Sequence, residues 1–266
     1  MYRVVPEQVA RLKPFFAARP PANAPMLQAF LEHRAPGRAY VNDARAPTAC
    51  VIAMHHQFVF FGGEVSGNFY ESALRELRRT QALHVILPAR GSRLPRRPAP
   101  DEEVHRVEFY RRSDPERARV RAIQRASAEL GEMRRIDAAL FGRCAWRDEI
   151  VRLLGSEREF LMHGIGYALL VEGRIVAEAY GCLWTRHRVE LAAMTHPESR
   201  GRGYATAVCA QLIDTCEAVG FETYWSCDAG NEASIRLATK LGYEDPRDYR
   251  LLRFDRAPVT ESPVLV

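Results

Sequence analysis

The chain has 266 residues, 47% of them hydrophobic and 27% charged, a globular balance that excludes disorder, collagen-like repeats and coiled coil. No apolar run approaches the roughly 18 to 20 residues of a membrane span, and the opening MYRVVPEQVARLKPFF breaks its apolar positions with charge, so neither an anchor nor a secretory signal is expected. The net charge is +5, carried by 36 arginines and only two lysines, Lys13 and Lys240. Arginine forks suit phosphate, but these arginines are spread along the chain among 33 acids, with no recognition helix or base-stacking motif, so nucleic acid is not the expected partner. Cys50, Cys144, Cys182, Cys209, Cys216 and Cys227 form no CxxC pair. Neither a metal centre nor a disulfide framework is expected, and a reducing cytoplasm is the simplest location.

In chain order, helical patterns at 6–18 and 24–34 precede apolar strands near 38–43, 48–54 and 57–62, then a helix at 68–80 and a strand at 83–87. PARGSRLPRRPAP, from Pro88 to Pro100, admits no helix and reads as an exposed loop. VHRVEFYRR alternates as a strand, and Asp114-Pro115-Glu116 starts a helix that runs to about Leu130. A short strand through Ile136 and a helix across 137–154 come next. GYALLVEG and RIVAEAYGCLW form a hairpin at Glu172-Gly173, and RVELAAMT is a third strand ending at His196-Pro197. A helix from Gly203 to Val219, the strand FETYWSC, a helix from Asn231 to Leu241 and the strand DYRLLRF complete an α/β pattern, and ESPVLV is a tail.

The chemistry concentrates where the third strand passes through Pro197 into Arg200-Gly201-Arg202-Gly203-Tyr204-Ala205 and a long helix. A strand, a basic glycine turn and a helix N-terminus make an anion site, because glycine lets the backbone approach closely and converging N–H groups add to the helix dipole. Such a site suits a pyrophosphate. The turn lacks the lysine and hydroxyl of GxxxxGK[ST], and its spacing is not GxGxxG, so neither a nucleotide P-loop nor a dinucleotide fold is indicated.

R-x-x-G-x-A at 200–205, after a strand ending in His196-Pro197-Glu198, resembles the coenzyme A signature of the GNAT N-acetyltransferase superfamily. Asn231-Glu232-Ala233-Ser234 with Leu237-Ala238 and Lys240-Leu241-Gly242-Tyr243 resembles that superfamily's second motif. Within it, TYWSCDAGNEASIRLATKLGY, GIGYALLVEGRIVAEAY and GRAYVNDARAPTACVIAMHHQFVFFGGE are similar to the branch that includes zwittermicin A resistance acetyltransferases. The resemblance implies a GNAT fold, a mixed, splayed sheet flanked by helices, over 131–256. It also implies an N-terminal α/β domain over 1–112, either a degenerate GNAT-like half or another arrangement. A helix at 113–130 connects them, 257–266 is a tail, and a cleft between the halves is the expected place for substrate.

The resemblance further implies acetyl-CoA as co-substrate and a small-molecule amine, such as an amino-bearing antibiotic, as acceptor. Ala193, Met194 and Thr195 would pair with the pantetheine arm. Arg200, Gly201, Arg202, Gly203, Tyr204, Ala205 and Thr206 would hold the pyrophosphate, and Asn231 and Ser234 would face the arm. For Asn231 a plain helix cap is the alternative.

An alkyl ammonium with pKa near 10 must lose a proton before it attacks, so a base is useful. Glu190 occupies the strand position where some superfamily members carry one; the alternative is an ordinary solvent-facing residue, and His187 is a weaker candidate. Many members place a tyrosine one residue after the helix leucine as acid; this chain has Ala238 there, which leaves solvent, Tyr243 or another nearby residue to assist thiolate departure, and for Tyr243 the favoured alternative is the packing aromatic of the final turn. Cys227 reads as a structural thiol, His55-His56 as a turn or strand edge, Trp146, Trp184 and Trp225 as core or pocket wall, and Phe58 to Phe61 as a buried strand. Two other classes stay open: a catalytically silent acyl-CoA-binding or interaction module, and a nucleic-acid binder. The last strand offers an edge for a homodimer.

Overall fold

Apolar strands and amphipathic helices alternate along the chain as the side-chain periods dictate, and they take up a mixed α/β arrangement. The computed structural model describes residues 1–18, 20–88, 94–111 and 113–257. The middle of the proline-rich loop and the tail beyond Ala257 lie outside the described residues.

In order, the elements are β1 (Tyr2–Arg3), α1 (Pro14–Ala17), α2 (Ala24–Leu31), β2 (Gly37–Val41), β3 (Ala49–Met54), β4 (Phe58–Gly63), α3 (Gly67–Leu77), β5 (Leu83–Ile86) and β6 (Glu102–Tyr110). There follow α4 (Ser113–Ala126), β7 (Glu132–Arg135), α5 (Ala138–Phe141), α6 (Arg147–Leu154), α7 (Glu157–His163), β8 (Gly166–Val171), β9 (Arg174–Trp184) and β10 (Arg188–Thr195). The chain closes with α8 (Tyr204–Ala218), β11 (Glu222–Asp228), α9 (Glu232–Lys240) and β12 (Glu244–Phe254).

Three expectations need correction. The first helix is a 3₁₀ turn, Pro6–Leu12, followed by the single turn α1, because Pro14 has no N–H to continue a ladder. The helix expected over 137–154 is two, α5 and α6, with α5 capped at Gly142. The helix α7 was not anticipated, although Ser156 and Glu159 stand at capping-box spacing and the Ser156 hydroxyl accepts from Glu159 N at 3.1 Å.

Two compact units are interleaved in sequence. One comprises 1–24, 37–105 and 249–266; the other comprises 25–36 and 106–248. The consecutive blocks expected from sequence differ from this because α2 belongs with the later segment and the end of β12 returns to the earlier one.

In the first unit the strand order is β1-β2-β3-β4-β5, and β5 pairs with the Leu251–Phe254 end of β12. All neighbours are antiparallel except β4 and β5. Phe69, Tyr70, Ala73, Leu74 and Leu77 form the inward stripe of α3 and pack on Val51, Val59, Phe61 and Val85.

In the second unit the order is β6-β11-β10-β9-β8-β7, again antiparallel except for one neighbouring pair, β10 and β11. Val189, Leu191, Ala177 and Ala179 face one way, onto α8, and the α8 residues Val208, Leu212 and Ile213 meet them. Ala168, Leu170, Tyr180 and Cys182 face the other way, onto α5, α6 and α7 through Leu140, Phe141, Ile150 and Phe160. Burial on both faces is why β9 reads as a nearly unbroken apolar run. Helix α4 lies along α8, with Gln124 Nε2 donating to Gln211 Oε1 at 3.1 Å and Arg121 donating to Asp214 at 3.4 Å.

The two units follow the same path. β2-β3-β4-α3-β5 in the first corresponds to β8-β9-β10-α8-β11 in the second: three antiparallel strands, then a helix leading to a parallel partner. Of the two readings of the N-terminal half, the GNAT-like one matches this topology. Among the described residues no helix is long and apolar enough to cross a membrane.

Candidate functional site

β10 and β11 are hydrogen-bonded neighbours only at Arg188–Glu190 against Glu222–Tyr224. Beyond Glu190 the register of β10 shifts, and Leu191–Thr195 pair with β9 alone, while Tyr224–Asp228 pair with β6. The strands therefore part in a V, and β10 presents an edge of backbone groups to the gap, which an extended ligand can join as an added strand.

At the mouth of the V the chain turns into α8. Pro197 opens a 3₁₀ turn, Pro197–Ser199, and Gly201 and Gly203 follow at φ 79° and 82°. No atom lies within 4 Å of where a Gly201 Cβ would stand, and Gly203 would meet only Leu130 Cδ1 at 4.0 Å, so left-handed backbone rather than crowding requires glycine. Arg200 Nε donates to Thr195 O at 3.4 Å. The bond from Ala207 N to Gly203 O, 3.1 Å, opens the helical ladder, so the N–H groups of Tyr204, Ala205 and Thr206 stand at the positive end of α8 without an intrahelical acceptor.

A groove of about 670 Å³ fills the V. Ala193, Met194 and Thr195 form one wall; Arg200, Gly201, Gly203, Tyr204, Ala205 and Thr206 form the end; Asn231 and Ser234 lie opposite. The structure thus brings together all the predicted coenzyme residues except Arg202, which is exposed and does not line the groove. Asn231 caps α9, its side chain accepting from Ser234 N at 3.1 Å, and it also lines the groove.

Sequence reasoning missed Ala233, Arg236, Leu237, Lys240 and Ser199, which also line it, as does Trp225, expected as core or pocket wall. The first four make one stripe of α9 at spacings of three and four, a signal available from helical period alone. Trp225 Nε1 donates to Ser234 Oγ at 3.0 Å and fixes that side of the groove. Arg200, Arg236 and Lys240 give the lining its positive charge, with Arg236 also paired to Glu232 at 2.8 Å.

Glu190 lies where β10 and β11 part, rather than among the residues that line the groove. It is 7% exposed, which corrects the solvent-facing alternative: with both faces of the strand covered, the outward side is also interior. Burial is the main cause that pushes its carboxyl up to about 7; Arg106 pulls it down, Glu108 pushes it up, and a hydrogen bond with Ser226 lowers it. Its Oε2 has no hydrogen-bond partner among the described residues. His187 sits exposed in the turn after β9, its N–H donating to Thr185 Oγ1 at 3.2 Å.

Tyr243 is corrected as a candidate acid. It is 2% exposed in the core beneath Trp225, ring centroids 5.6 Å apart, and does not line the groove. Burial raises its phenol far above the ordinary value, which weakens it further as a proton donor. Ala238 is fully buried in the same core. Cys227 is buried too, its thiol raised by burial. His55 is exposed and His56 buried, while Trp184 and Trp225 are buried and Trp146 half-buried.

A second groove of about 680 Å³ occupies the corresponding place in the first unit, at the end of β4 and the start of α3. Its chemistry is different. Phe15, Phe61, Val65 and Leu94 line it, Glu64 is its charged residue among the described residues, and Ser66 Oγ already accepts from Phe69 N at 3.3 Å. An acidic, side-chain-capped helix start does not suit a pyrophosphate.

A family model described as GNAT acetyltransferase matches residues 13–252. The uncharacterised N-acetyltransferase YdfB of Bacillus subtilis is 33% identical over 96 residues, a stretch covering 36% of this chain and 37% of that protein. A GCN5-related N-acetyltransferase-like protein from Streptococcus suis has a similar structure: TM-score 0.69, 23% identity, 93% of this chain and 99% of that one. A tandem GNAT protein from the clavulanic acid biosynthesis pathway superposes over 97% of this chain and 98% of its own, with TM-score 0.60 and 12% identity. These two likenesses concern the fold.

Proposed function

We propose, from the premise that this chain belongs to the GNAT acetyltransferase family, that it transfers the acetyl group of acetyl-CoA directly to a primary amine of a small molecule. The observation that carries the reading is the groove itself, a cationic turn with free helix N–H groups at one end of an open strand edge. An acyl-CoA has a matching layout, with a pyrophosphate at one end of an extended amide-bearing arm. Arg200 and the N–H groups of Tyr204 to Thr206 would hold the pyrophosphate, β10 would pair with the arm through Ala193 to Thr195, and Asn231 and Ser234 would bound its far side. When bound, the coenzyme supplies an acetyl group activated as a thioester.

The chain's own part is to manage the acceptor's proton. Glu190 is held near pKa 7, so at neutral pH about half of it is ionised and able to take a proton from an ammonium, directly or through a water. With Ala238 and Tyr243 both in the core, neither position supplies an acid in this reading. A thiol of pKa about 8.5 leaves as the thiolate. The likeness to the zwittermicin A resistance branch supports an amino-bearing antibiotic as one acceptor class.

The test is a screen of small primary amines with acetyl-CoA, followed by the pH profile of kcat/KM. A single acid limb near pH 7 that Glu190→Gln removes, with kcat lower by about 10²-fold or more, is the expected outcome. A chain that binds acetyl-CoA and acetylates no amine would instead support the silent binding module, the reading that Ala238 favours.

A further inference from the structure

Glu108 belongs to none of the groove motifs, yet β6 carries it into the buried cluster around Glu190. The antiparallel register of β6 and β11 sets Tyr110 opposite Tyr224, Glu108 opposite Ser226 and Arg106 opposite Asp228, and the parallel register of β10 and β11 sets Glu190 opposite Tyr224. Residues two apart on a strand share a face, so all of these side chains stand on one side of the sheet. Tyr224 donates its hydroxyl to Glu108 Oε2, and Tyr110 donates to Glu108 Oε1 at 3.4 Å. Arg106 Nη2 donates to Ser226 Oγ at 3.1 Å, and Nη1 pairs with Asp228. Glu108 and Glu190 are 6% and 7% exposed, so little water screens them from each other.

We infer that Glu108 and Arg106 are a pair of positioning residues for Glu190, presenting opposite charges toward its carboxyl from one face of β6, with Tyr224 and Ser226 on the strand between. The inference builds on Glu190 as the base proposed above. Two carboxylates confined together resist joint ionisation, and a guanidinium offsets that resistance. The directions at Glu190 agree, Arg106 lowering and Glu108 raising it against a background of burial. Other charged or titratable groups meet the cluster from its neighbours. Cys182 on β9 donates its thiol to Glu190 O at 3.3 Å, Asp228 holds the far side of Arg106, and Arg188 and Arg247 stand over the Tyr110 ring.

The test follows the Glu190 carboxyl carbon by NMR of the full chain labelled with ¹³C at glutamate Cδ, the signal being assigned by its loss in Glu190→Gln. The wild-type midpoint is expected near 7. Glu108→Gln should move it down and Arg106→Gln should move it up, each by about one unit. Ser226→Ala, a smaller change, should also move it up and serves if either variant fails to fold. Midpoints that stay put, or that move the same way for Glu108 and Arg106, overturn the inference. The amine assay on the same proteins separates the two claims. If Glu190→Gln leaves acetylation intact while the midpoints split, the base reading falls and the positioning stands. If Glu190→Gln abolishes acetylation and the midpoints do not move, the positioning alone falls.

Discussion

At the scale of single residues, Glu190 is a local instability retained at the site. Its carboxyl titrates near 7 in the fold against an ordinary 4.5, so the folded chain holds that proton more tightly than the unfolded chain does. Stability from this group is therefore complete below about 4.5 and is lost as pH rises through 7. Glu190→Gln keeps the shape and cannot ionise. It should match the wild type at pH 4.5 and exceed it above pH 7 by on the order of 2–3 kcal/mol, measured by urea denaturation at both pH values. Equal stabilities at high pH would mean that the buried carboxyl is not under this strain.

The anion turn was legible at this scale because each feature is local: a glycine that must be left-handed, an arginine beside it and a helix that starts there. Glu108 and Arg106 were not. In VHRVEFYRR they sit on the polar side of a clean alternation, which ordinarily means solvent, and only the pairing of β6 with β11 puts that side indoors. Tyr243 carried two readings, acid or packing aromatic, because a motif position does not say which way a ring points; its ring packs in the core.

At the scale of elements, long periodic segments were read correctly and breaks within them were not. β8, β9, β10, α8 and α9 follow from runs of consistent period and from the two-residue turn at Glu172 and Gly173, both at positive φ. The helix over 137–154 was read as one because apolar spacing continues across Gly142 to Trp146, where the chain in fact turns. Element placement also depends on pairs that no local pattern reveals. Arg111, just past β6, forms an ion pair with Glu217 near the end of α8; the two side chains are 0% and 3% exposed, and Arg111 Nε also donates to Leu241 O at 3.1 Å. Glu217→Gln leaves a buried guanidinium without its counter-charge and should cost about 3–5 kcal/mol of unfolding free energy, whereas the double change Arg111→Met, Glu217→Leu should recover most of it. Thermal unfolding of the three proteins checks this, and a single variant as stable as the wild type would show that the pair does not pin α8.

At the scale of the whole molecule, the repeated topology is informative because the two units differ in chemistry at corresponding places. The strand–turn–helix crossing in the second unit carries Arg200, two left-handed glycines and free N–H groups. In the first it carries Glu64, Phe61 and a helix start already capped by Ser66. Sequence did not reveal the repeat, since the strand order and the parallel pairs that define it come from long-range contacts. The proposed function therefore predicts one coenzyme per chain, not two.

Isothermal titration of acetyl-CoA into the full chain tests that claim most directly, beside an Arg200→Ala, Gly203→Asp double variant shown to be folded by circular dichroism. Saturable binding at one site per chain in the wild type and none in the folded variant is the expected result. No binding in the wild type, two sites per chain, or binding that the variant retains unchanged would contradict it.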